Sequence, residues 1–178
     1  MASRANILAV RNAVLGMLVL AACSEGPVVD RCTLYEAERP IPGQLVSARI
    51  DGRRWVAASD YWAAIDTAEA HLALYGTTYH DSWQETISLS LYGFHGAGTY
   101  PIDLWTPNPL SSATYYCEYS LSGYVGSIGA PGDSVWVSAW DSVTGHLSAT
   151  FSFHGLGGRD GIPVEVTEGK VDAMVTRR

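Results

Sequence analysis

The chain has 178 residues, with 11 Lys and Arg against 18 Asp and Glu and a net charge of −7, a length that one domain accommodates. Surplus acid leaves no basic footprint for phosphates, which argues against a nucleic-acid partner. The acids are scattered, so they read as a solvated surface and not as an acidic tail.

Residues 1–22 carry Arg4 and Arg11 and no acid, followed by the apolar core Ala13-Val14-Leu15-Gly16-Met17-Leu18-Val19-Leu20. That is the order of an export signal. A membrane-spanning helix needs about 20 apolar residues, and this run is roughly half as long; Ser24-Glu25-Gly26-Pro27 ends it. Leu20-Ala21-Ala22-Cys23 resembles the lipobox of bacterial lipoproteins. The resemblance implies that Cys23 is lipidated and begins the mature chain, and that two or three acyl chains, palmitate among them, hold it stably at a membrane. The competing reading is an ordinary secretory signal cut at A-x-A, with Cys23 merely nearby. Ser24 behind the cysteine implies the outer membrane where the source has two. The mature chain would keep nine bases against eighteen acids.

With Cys23 assigned to lipid, Cys32 and Cys117 remain. An even number in an oxidising compartment predicts a disulfide. It would close a loop of about 85 residues, which chain entropy values at ~4 kcal/mol. The alternative is two separate buried thiols. Neither cysteine has C-x-x-C or zinc-ligand spacing, so no metal site is expected.

Residues 23–44 read as anchor and linker, with Gly26-Pro27, Pro40, Pro42 and Gly43 breaking any regular element. From residue 45 to 178 the text becomes one domain of short β-branched and aromatic runs bounded by Gly, Asp and Pro. Leu45 to Asp51 and Arg54 to Ala58 flank Asp51-Gly52, a hairpin signal. The stretch Tyr61 to Ala70 is the one place where a helical turn competes. His71 to Gly76 and Glu85 to Tyr92 form the next strand pair, with Ile87, Leu89 and Leu91 on one face and Ser88 and Ser90 on the other. Gly98-Thr99-Tyr100-Pro101 reads as a turn into Ile102-Asp103-Leu104, Trp105 to Ala113 as a surface loop, and Tyr115 to Tyr119 as strand. After the glycine-rich loop around Gly123 to Gly129, Ser134 to Trp140 and His146 to His154 flank Asp141 to Gly145 as the clearest hairpin. A loop at Gly155 to Gly161 precedes Val164 to Thr167, and Glu168-Gly169 reads as a turn into Lys170 to Val175.

Nine or ten strands with turns every 8 to 12 residues predict an all-β fold, an antiparallel β-sandwich. A closed, lipocalin-like β-barrel is the alternative. Ser47-Ala48-Arg49-Ile50-Asp51-Gly52-Arg53-Arg54-Trp55, Gly98-Thr99-Tyr100-Pro101, the Gly145 to Phe153 run and Val166-Thr167-Glu168-Gly169 together resemble a group of uncharacterised bacterial lipoproteins with one β-rich domain. That group has no established activity, so the resemblance assigns no catalytic or binding residue. Cys32 and Cys117 stand outside its shared pattern, and Trp136 occupies a slot expected to be polar.

Strict alternation puts Trp136, Ser138 and Trp140 on the face opposite Val135, Val137 and Ala139, with the tryptophans about 13 Å apart. If the valines face the core, both rings face outward as a platform for sugar rings. The competing reading buries both tryptophans, which are highly buried on average. His146 and His154 share a polar face with Ser148, Thr150 and Ser152, too far apart to chelate one ion, and read as solvent-facing. His80-Asp81-Ser82 reads as a turn, since triads are recognised by folded geometry. There is no G-x-S-x-G, H-E-x-x-H or phosphate loop, so neither catalytic residues nor a cofactor is expected. The first expectation is a non-enzymatic, lipid-anchored envelope module that binds glycan or a protein partner. The alternatives are a lipocalin-type carrier of a small apolar ligand and a hydrolase with an unrecognised histidine and carboxylate site.

Overall fold

A computed structural model describes residues 40–80, 83–103, 111–117, 124–127, 129–157 and 162–178. Residues 1–39, with the leader, Cys23 and Cys32, lie outside the described residues, as do Asp81, Ser82 and most of the Trp105 to Ala113 stretch. All regular structure among the described residues is β. The strands in chain order are β1 (Leu45–Ile50), β2 (Arg53–Val56), β3 (Asp60–Asp66), β4 (His71–His80), β5 (Trp83–Tyr92) and β6 (Gly98–Pro101). They continue as β7 (Ser112–Cys117), β8 (Tyr124–Ser127), β9 (Ser134–Trp140), β10 (His146–Gly157), β11 (Ile162–Met174) and β12 (Thr176–Arg177).

Local chemistry sets the hairpins. Asp51 and Gly52 have φ of 49° and 80°, the mirror-image turn whose twist matches that of paired strands, and Ile50 faces Arg53 across it. Asp141 Oδ1 accepts N–H bonds from Val143 and Thr144 at 2.7 and 3.2 Å, closing the turn between β9 and β10. Asp66 does the same for Ala68 and Glu69, so the stretch 61–70 is strand followed by a turn, without a helix.

One sheet has the order β12-β3-β4-β5-β7 and the other β10-β11-β1-β2, with β9 on the first half of β10 and β6 on β9. Short β8 pairs with β7 on one side and β10 on the other, carrying the hydrogen bonding from sheet to sheet. All pairs are antiparallel except β12 with β3. The terminal strands of this path, β12 and β2, do not pair, so the molecule is an antiparallel β-sandwich and the closed barrel is corrected. The end of β2 is met by a side chain instead of a ladder, because the Thr78 hydroxyl donates to the Val56 carbonyl and accepts from the Ala58 N–H.

Between the sheets, Val46, Ala48 and Ile50 of β1 and Leu147, Phe151 and Phe153 of β10 share one buried cluster with Ile87, Leu89 and Leu91 of β5. Close approach depends on Gly76. A Cβ there would lie 2.7 Å from the Ala57 Cβ and 3.0 Å from the Val46 Cβ, shorter than van der Waals contact permits.

Several assignments from sequence are corrected, among them the start of the loop expected at Gly155, since β10 runs on to Gly157. Gly98–Pro101 is a strand against β9, and Tyr124–Ser127, inside the expected loop, is β8. Glu168-Gly169 does not turn the chain but lies within β11. The register slips there against both neighbours, and Glu168 has φ of 49°. This is a β-bulge, an extra residue accommodated without breaking either ladder. The Phe151 ring occupies the space that a Cβ on Gly169 would fill.

Candidate ligand-binding face

The outer face of the β6-β9-β10-β11-β1 layer carries a row in register: Thr99 beside Trp136, Trp136 beside Thr150, Thr150 beside Lys170, Lys170 beside Ser47. Paired residues in an antiparallel ladder project to the same side. Trp136 is 53 % exposed, as the outward reading of this residue expects. Its indole borders a groove of about 390 Å³ together with Ser134, Thr150, Ser152, Glu168 and Lys170. A flat apolar ring edged by hydroxyls, one ammonium and one carboxylate has the donors and acceptors to hold a sugar, whose own faces are apolar and whose rim is hydroxylated.

Trp140 is not part of that face. Ser148 lies opposite Ala139 while Ala149 lies opposite Val137, so Ser138 is an extra residue. This bulge reverses the alternation behind it. Trp140 therefore pairs with fully buried Leu147 and packs on the core, its ring edge-on to Phe94 at 5.6 Å and 80°. The two-tryptophan platform of the sequence reading is corrected to a single exposed ring. A run of seven residues alternating cleanly carries no sign of the slip.

The histidines have partners that sequence spacing did not reveal. His146 and His154 are each about half exposed, as expected. His146 Nε2 lies 2.6 Å from Asp172 Oδ1. His154 Nδ1 lies 2.8 Å from Asp133 Oδ1, whose side chain is almost wholly buried. Asp133 Oδ2 also accepts the N–H groups of Ala130 and His154. The hydrogen bond to Asp133 raises the His154 imidazole above its ordinary value, with desolvation opposing. The other His154 nitrogen is 3.9 Å from Glu165 Oε1, beside a cleft of about 340 Å³ that also includes Asp51, Pro163 and Val164. Among the described residues no group of three or more His, Cys, Asp and Glu is placed to hold a metal.

A third polar group lies inside the sandwich. Glu85, 1 % exposed, takes two bonds from the Arg53 guanidinium, one from Nη1 at 3.4 Å and a shorter one from Nη2. The Tyr115 hydroxyl donates to it at 2.6 Å, and His80 Nε2 is 3.6 Å away, its ring stacked on Trp83. Cys117 stands directly opposite Glu85 in the register and is buried. Its expected partner, Cys32, lies outside the described residues.

No known protein family, curated protein or solved structure matches the chain.

Proposed function

We propose that the chain is a lipid-anchored, non-enzymatic module of the cell envelope that binds glycan on the outer face around Trp136. The observation that carries this reading is the half-exposed indole in a groove edged by hydroxyl and charged side chains. Among the described residues Trp136 and Tyr79 are the most exposed large aromatic side chains, and of the two only Trp136 lines the groove. The anchor is the lipid on Cys23, at the end of Leu20-Ala21-Ala22-Cys23, which keeps the work close to a membrane and, in a bacterium with two, at the outer one. The resemblance to β-rich bacterial lipoproteins supports the same location. A Cys32–Cys117 bridge ties the segment behind the anchor to β7. Alkylation of the unfolded, unreduced chain tests the bridge, since two adducts would refute it. Envelope and plant polysaccharides titrated against tryptophan emission test the binding. Wild type responds saturably; no response to any of them removes the reading.

A second reading, a hydrolase, is favoured by one observation: buried Asp133 holds the His154 imidazole beside a cleft, the arrangement of an oriented general base. Turnover of ester or glycoside probes that His154→Gln abolishes would support it. Equal turnover, or none, returns Asp133 and His154 to fastening the turn before β9 onto β10.

A further inference from the structure

We propose that the Trp136 groove takes an acidic glycan, with one sugar ring on the Trp136 indole and the carboxylate of a neighbouring uronic acid at Lys170. This rests on the glycan reading above and names its ligand class.

Lys170 is the only lysine in the chain. It stands in the same cross-strand row as Trp136, with Thr150 between them. Two strand spacings separate Trp136 from Lys170, about 10 Å, a separation that adjacent or next-adjacent sugars of one chain span. The Thr150 hydroxyl lies under the linkage, able to donate and accept.

Charge supports the same ligand. Two acids flank Lys170 along β11, and each is already engaged. Glu168 Oε2 accepts from Arg49 Nε at 3.0 Å, and Asp172 is bonded to His146 at 2.6 Å. Lys170 makes no ion pair with any described residue, so its ammonium is the uncommitted charge of the groove. The net charge of −7 opposes a polyanion at long range. At physiological ionic strength, however, screening acts over about 8 Å, so distant acids count little against a carboxylate in direct contact with Lys170.

The test is calorimetric titration of the full chain with oligogalacturonate and with its methyl ester, which keeps the sugar and removes the charge. A neutral β-glucan is the third probe. We expect the free acid to bind about fivefold tighter than the ester, the size of a well-placed exposed ion pair. Lys170→Gln should bring that ratio to one by weakening the acid alone, and Lys170→Arg should retain it. Trp136→Ala should lose both. Equal affinity for acid and ester in wild type, or a ratio unchanged in Lys170→Gln, overturns the acidic ligand while glycan binding stands. Failure of all three probes to bind overturns the inference together with the reading beneath it.

Discussion

Arg53→Met removes the one full positive charge seen bonding Glu85 and keeps most of the aliphatic volume. The carboxylate stays 1 % exposed, holding the Tyr115 hydroxyl bond at 2.6 Å but losing two charged donors. Across the 3.4 Å contact, Coulomb attraction at an effective dielectric of ~20 is about 5 kcal/mol. Desolvation of both groups offsets much of that in the intact pair. In the variant the attraction disappears while the desolvated charge of Glu85 remains, and stripping one partner from such a pair costs about 3–5 kcal/mol. Against a total stability of about 5–15 kcal/mol, that is a large fraction. Urea unfolding followed by tryptophan emission measures it. Arg53→Met combined with Glu85→Leu should recover most of the loss, because an apolar replacement of a whole buried pair is close to neutral. A loss below about 1 kcal/mol for Arg53→Met, or a double variant equal to the sum of its singles, would refute a coupled buried pair.

His154→Gln removes the bond to Asp133. The folded-state imidazole is raised by that bond, so its contribution is fully present below the ordinary value near 6.5 and is lost as pH rises through the raised one. Wild type and variant should differ most in acid and converge in alkali; a gap that widens with pH contradicts the assignment. Gly76→Ala should cost about 1–3 kcal/mol through overpacking against Ala57 and Val46, and unchanged thermal stability would show that the sheets do not approach as described. Trp140→Ala should cost somewhat less than the ~3–5 kcal/mol of a fully buried Trp→Ala, because the ring it removes from Phe94 is only partly buried. It should leave glycan affinity unchanged, and a parallel loss of affinity would place Trp140 back on the binding face.

The strand order of the hairpins was legible because Asp51-Gly52 and the Asp141 to Gly145 turn impose local geometry that does not depend on distant residues. Bulges are different. Ser138 and Glu168 are extra residues only relative to the partner strands; nothing within β9 marks Ser138, and Glu168-Gly169 carries a break signal that a turn and a bulge share, so alternation alone puts Trp140 on the wrong face and divides β11. The Glu85 cluster does leave a trace in the sequence. Extending the Ile87, Leu89, Leu91 alternation two residues backward puts a carboxylate on the core face, which demands a cation. Pairing of His154 with Asp133 joins residues 21 apart across a turn, a proximity that spacing does not encode.

The central claim is that Trp136 holds a sugar ring. Its most direct measurement is the affinity of wild type and Trp136→Ala for whichever polysaccharide shifts the wild-type emission, read by calorimetry because the variant lacks the reporter. Truncating a binding hot spot costs about 2 kcal/mol or more, so affinity should fall at least tenfold while the unfolding midpoint of the exposed-site variant stays within error. Equal affinity in the two proteins would contradict the account.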